Sequence, residues 1–230
     1  SIGWRRRDRR TRATTVNRYG VLLPGIGAYY GLTPELGILG GVHRGFSPVA
    51  PGDLDAQPEF SVNYEMGSRY RSKAIEFEAV GFFNDYSNLT NVCSASGNCP
   101  EEIIDAQFDG GEVNVFGADA SVRGTYVLSG ELTLNGGLAY TFTDSEFQST
   151  FESADPLFGN VNPGERLPYI PTHQASANLV LGGARWSVDT AVSYVGSMQE
   201  TADEQQPIFG DLNTDEQLIV DAGARVTVVP

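Results

Sequence analysis

An antiparallel transmembrane β-barrel segment is the fold class that this sequence predicts. Three observations carry it. Long stretches alternate strictly between apolar and polar side chains, the connections alternate between short and long, and no run approaches the ~18 apolar residues of a membrane helix. Composition agrees: the chain has 230 residues, with 27 Gly, 12 Phe and 10 Tyr, only 2 Met, and a net charge of −14. Such a chain does not read as a helical bundle, and its evenly patterned apolar residues exclude disorder. The acidity argues against nucleic acid as a partner, because neutralising phosphates takes clustered cations.

In chain order, a strand stub covers Ile2–Trp4, followed by Arg5, Arg6, Arg7, Arg9, Arg10, Arg12 and Arg18 against one acid, Asp8. Residues 5–19 are expected to form a loop, and because this block is net positive the net negative charge of the chain resides beyond it. The block has no apolar stretch or small-residue cleavage site and is not a signal peptide. Weak alternation marks strands at Val21–Leu32 and Gly37–Phe46. The sharpest case is Glu59–Tyr70, with Phe60, Val62, Tyr64 and Met66 on one parity and Ser61, Asn63, Glu65 and Arg69 on the other. Ile75, Phe77, Ala79, Gly81 and Phe83 then oppose Glu76, Glu78 and Asn84. Further strands are expected at Glu112–Tyr126, Leu132–Thr143, His173–Leu181, Trp186–Tyr194 and Gln217–Val229. With the stub, that makes about ten strands and no helix. The final "GARVTVVP" stops inside a strand-like pattern, so both ends are read as cuts through a longer protein.

Short connections fall at 33–36, 71–73, 128–131 and 182–185, and long ones at 47–58, 87–111, 145–171 and 197–214, rich in Asp, Asn, Ser, Gly and Pro. A soluble β-sandwich or lipocalin-like barrel also alternates, but with shorter strands and the apolar parity turned inward. In a membrane barrel the wet parity (Glu65, Arg69, Glu76, Glu78, Asp119 and Arg123) lines the lumen. The oily parity, including Phe60, Tyr64, Leu134 and Trp186, meets acyl chains. A slip of one residue would drive those charges into hydrocarbon, so the register is expected to be firmly fixed.

Cys93 and Cys99 lie in the longest polar loop, where an oxidising compartment would join them as a disulfide that stiffens it; free thiols or a metal site are the alternatives. A metal site needs more ligands, and His43 and His173 are the only histidines. The acidic stretches at 109–112, 201–204 and 210–216 lack EF-hand spacing and read as solvated surface. "PGIGAYYG" has no strand-to-helix context and fails as a dinucleotide fingerprint. His173 and Ser176 lack a third group to orient them, and no hydrolase motif occurs, so no catalytic residue and no enzyme are expected.

The stretches "LPGIGAYYGLTPELGILGGVHRGFSPVAPG" (23–52), "NYEMGSRYR" (63–71), "FEAVGFFNDYSNLT" (77–90) and "LPYIPTHQ" (167–174) together resemble the C-terminal barrel half of TonB-dependent outer-membrane receptors of the ferric-dicitrate type. The resemblance runs over nearly the whole chain. It implies that residues 1–230 are a partial barrel domain, about ten strands of a 22-stranded barrel, lacking the plug domain that fills it. It further implies a bacterial outer-membrane location, import of a ferric siderophore, and engagement of the TonB complex through an N-terminal region outside this chain. Membrane lipid and lipopolysaccharide would surround the barrel. Iron would arrive already chelated, so no cofactor is expected. Residues 5–19 then lie at the extracellular rim, where Arg7, Arg9, Arg10 and Arg12 could grip the carboxylates of a citrate-type chelate. The same cluster could instead bridge lipopolysaccharide phosphates or pair with acidic loops. A passive porin, a receptor for a saccharide or cobalamin, and a surface adhesin are the rival readings.

Overall fold

The computed structural model describes residues 2–7, 14–49, 57–92, 101, 107–153, 155–203 and 213–228. Its main body is a nine-stranded antiparallel sheet in which each long strand pairs with the next along the chain. In order these are β3 (Gly25–Gly31), β4 (Leu36–Ser47), β5 (Glu59–Arg71), β6 (Ile75–Tyr86), β9 (Val113–Ser129), β10 (Leu132–Phe147), β13 (His173–Gly182), β14 (Trp186–Val195) and β15 (Gln217–Val226). All nine long strands expected from periodicity are present. The remaining six strands form three separate hairpins: β1 (Ile2–Arg7) with β2 (Thr14–Tyr19), β7 (Thr90–Val92) with β8 (Gln107–Asp109), and β11 (Phe151–Glu152) with β12 (Asn160–Val161).

The expectation of a loop over 5–19 is therefore corrected. Arg5 opposes Val16 and Arg7 opposes Thr14 in an antiparallel ladder. Backbone pairing needs no apolar side chains, which is why hydropathy alternation missed it. The strand expected from Val21 begins at Gly25 instead.

At one rim the turns are tight and built by local side chains. Thr33 Oγ1 accepts from the amides of Glu35 and Leu36 at 3.2 and 3.0 Å. Ser72 Oγ accepts from the Ile75 amide at 3.1 Å. The opposite rim carries the long connections, and there the chain builds its only described core of fully buried apolar side chains: Val113, Phe147, Phe158, Val161 and Ala202. Leu157 O accepts from the Ala202 amide at 2.8 Å, tying the loop after β10 to the loop after β14.

The two faces of the sheet separate by chemistry. One row runs Leu36–Tyr70–Phe77–Val122–Leu138–Ala177–Val192–Val220, apolar on every strand from β4 to β15. Phe60, Tyr64, Leu134 and Trp186 share this face by strand parity. Tyr64 and Trp186 are 46% and 41% exposed, so this face is not a dry interior. On β9 the apolar parity runs from Phe116 to Tyr126, and eleven residues is the length of a tilted strand crossing a bilayer.

Candidate functional site

The other face carries the charge. On β5, Arg69 lies opposite Glu78 of β6, and Arg71 lies opposite Glu76. On the next strand Arg123 lies opposite Glu76 from the other side. Direct register brings the side chains together: Arg69 pairs with Glu78, Arg123 pairs with Glu76, and Arg71 Nε reaches Glu76 Oε1 at 2.8 Å. Glu76 thus bridges two guanidinium groups across three strands. Arg69, Arg71, Glu76, Glu78, Ser121 and Arg123 line a shallow basin of about 490 Å3.

Further up the same face, Asp119 Oδ1 accepts from the Thr141 hydroxyl at 2.6 Å. Glu65 lies between Gly41 and Phe82 in its row. The six charged residues singled out from sequence, Glu65, Arg69, Glu76, Glu78, Asp119 and Arg123, therefore occupy one face, opposite the apolar rows. Arg71 belongs with them and was passed over, although it shares the parity of Arg69 in the same strand. All of these groups are partly open to solvent, so the pairs orient one another more than they stabilise the sheet.

Above this wall the same face turns apolar. Tyr86 opposes Val113, and Val113 opposes Phe147, so the loop core sits over the charged wall at the long-loop rim. Asp155, buried beside it, organises the turn: its carboxylate accepts from the Leu157 amide at 3.0 Å and its carbonyl from the Phe158 amide at 3.0 Å. No hydropathy signal in the sequence separated this core from solvated loop.

Of the four arginines expected at a ligand, Arg7 closes β1 as a backbone partner of Thr14. Arg9, Arg10 and Arg12 lie outside the described residues, as do Cys93 and Cys99. Among the described residues no group of three His, Cys, Asp or Glu side chains could hold a metal ion. His173 is engaged by aromatics on the apolar face: its Nδ1 is 2.8 Å from the Tyr140 hydroxyl, and its ring lies 5.6 Å from that of Phe142.

Compared with known families, residues 1–229 match the TonB dependent receptor-like β-barrel. The chain belongs to this family. Its members are outer-membrane receptors and transporters, not enzymes. Among solved structures, the siderophore receptor PiuA from Acinetobacter baumannii superposes with a TM-score of 0.68 at 16% identity, over 94% of this chain and 31% of PiuA. The ferric citrate transporter FecA gives 0.65 at 16% identity, over 96% of this chain and 32% of FecA. The copper transporter OprC gives 0.63 at 13% identity, over 95% of this chain and 33% of OprC. At such identities the likeness is one of fold. No match was found among curated proteins. This TonB-dependent receptor barrel chain spans about a third of the length of the solved receptors.

Proposed function

We propose that this chain is part of the barrel wall of a bacterial outer-membrane receptor that imports a ferric chelate with energy relayed by TonB, a citrate-type siderophore being the first choice. One observation carries the reading: the faces are sorted, with a row that is apolar on every strand from β4 to β15 on one side and paired charges on the other. In lipid every strand must pair and the oily parity must face outward. The parity bearing Glu65, Arg69, Glu76, Glu78, Asp119 and Arg123 then lines the lumen, where water keeps these groups charged.

In this mechanism the chelate settles on the external loops, a plug supplied by the rest of the receptor moves when TonB pulls, and the barrel wall offers a passage of charged and amide groups. The iron is cargo held by its chelator. The loop core of Val113, Phe147 and Phe158 holds part of the external mouth in place. Arg7, Arg9, Arg10 and Arg12 remain the favoured grip for chelate carboxylates, because guanidinium forks match them geometrically. Cys93 and Cys99 would staple a second external loop. A receptor for a different cargo is the runner-up, since the same fold serves the copper transporter OprC.

A deletion strain should fail to grow on ferric citrate as sole iron source and recover when the complete receptor gene is restored. Equal growth with and without the gene rejects the citrate reading. In the complete receptor, changing Arg7, Arg9, Arg10 and Arg12 together to Gln should weaken ferric-citrate binding in a titration, and unchanged affinity removes them from the site.

A further inference from the structure

The basin of about 490 Å3 on the charged face is lopsided. Two neighbouring rows build it. One runs Arg69–Glu78–Ser121–Ala139–Ser176 from β5 to β13, and the other runs Arg71–Glu76–Arg123–Gly137–Asn178. Both rows are charged on β5 and β6, and both fall to a small residue on β10. Arg123 therefore stands at a step. One flank of it meets Glu76, and the other faces the open space above Gly137. The far bank is polar. A Cβ at Gly137 would come within 2.7 Å of Asn178 Oδ1, so the Asn178 amide leans over the glycine that separates it from Arg123.

The ion pairs leave much of the hydrogen-bonding capacity of these cations unused. Arg71 gives Glu76 its Nε, Arg69 gives Glu78 its Nε, and Arg123 turns Nε and Nη2 on a single Glu76 oxygen. A guanidinium carries five N–H donors. The outer nitrogens of Arg71 and Arg123 are open to solvent, these side chains being 62% and 73% exposed. Among the described residues the Ser121 and Ser176 hydroxyls and the Asn178 amide have no hydrogen-bond partner. Three cations against two carboxylates leave the lining one positive charge in excess. Asp119, in the next row up, is turned to the Thr141 hydroxyl. Fork-shaped donors, hydroxyls and an amide around a floor of Gly137 and Ala139 suit a small anion with several carboxylates.

We infer that this basin is a second station for a polycarboxylate anion, on the exit side of the barrel. Short turns mark the periplasmic rim, and Arg71 ends β5 directly before one of them. The basin is thus remote from the external loops where a chelate first settles. For its cargo, the ferric chelate, the inference rests on the import reading above. The anion lies over Gly137 and Ala139, with carboxylates on the free edges of Arg71 and Arg123 and its remaining oxygens on Ser176 and Asn178. Glu76 competes with it for both cations, which keeps the hold loose enough for onward release.

The test places a thiol on the basin floor of the complete receptor with Ala139→Cys, the unsubstituted receptor serving as the blank for Cys93 and Cys99. Its rates of reaction with a negatively and a positively charged thiosulfonate are compared, in detergent and on energised cells. The anionic reagent should react roughly tenfold faster, and iron-free citrate should protect the thiol. Arg71→Gln with Arg123→Gln should abolish that preference, Lys at both positions should restore part of it, and Glu76→Gln should enlarge it. Equal rates, faster reaction of the cationic reagent, or a preference that survives the double Gln change overturns the site. Failure of both reagents under both conditions also overturns it, because the plug then covers this wall throughout. These rates need no cargo, so they judge the basin even where the wild type does not import ferric citrate. Where it does, the double Gln change should lower the maximal uptake rate and leave equilibrium binding at the external loops unchanged. An unchanged uptake rate overturns the basin as a station for the chelate and leaves import itself standing.

Discussion

Arg123 on β9 lies directly opposite Glu76 on β6, and Glu76 is held on its other flank by Arg71 of β5. Replacing Glu76 with Gln leaves two guanidinium groups facing each other on a partly solvated wall. The receptor should still fold. Its thermal midpoint in detergent should fall slightly at low salt and return towards the wild-type value at high salt, since screening removes exposed-pair repulsion. A salt-independent loss of stability would show that Glu76 does something other than balance charge.

Leu138 and Ala139 are neighbours in β10 with opposite facings. Leu138→Arg places a cation in the middle of the unbroken apolar row and should cost about 2–4 kcal/mol at the bilayer midplane. Ala139→Arg, between Ser121 and Ser176 in the charged face, should be tolerated. Folding titrations of the complete receptor into lipid vesicles measure both. Equal penalties would mean that the two faces have been assigned wrongly.

Gly117 on β9 is a point of close approach between strands. A Cβ there would run into the Phe142 carbonyl oxygen and come within 2.7 Å of the Phe82 ring. Gly117→Ala should destabilise by about 1–3 kcal/mol, the usual cost of overpacking. Gly81→Ala, whose Cβ would make only ordinary contacts at 3.8 Å with the Gly117 and Met66 carbonyl oxygens, should be close to neutral in the same unfolding assay. Neutral behaviour at both positions would show that β9 and β10 have room to separate.

Phe158 is 3% exposed and lies edge-on to Phe147, with ring centroids 6.2 Å apart. Phe158→Ala should remove about 3–5 kcal/mol of local packing. The consequence should be confined to the external loops. Hydrogen exchange should quicken across residues 148–172 and 196–203, while the amides of β9 and β10 below remain protected. Uniform loss of protection through the sheet would mean that the loop core supports the whole wall.

The arginine hairpin and the loop core show where sequence reading stopped. Arg5 and Val16 pair through backbone groups that every residue possesses, so no side-chain pattern announces the ladder. Phe147, Phe158 and Val161 look in sequence like scattered apolar residues in a polar connection. Their burial depends on Ala202, brought in from the loop after β14.

The sequence by itself determined the nine long strands, their two faces and the rim at which the connections are long. Those features repeat every second residue and need no knowledge of partners. Tertiary structure decided which groups meet. Glu76 and Arg123 are 47 residues apart in the chain, and the loop core joins Phe147 to Ala202 from the loop after β14. Contacts of that kind depend on strand register, which is set by the summed pairing of whole strands and is not written at any single position.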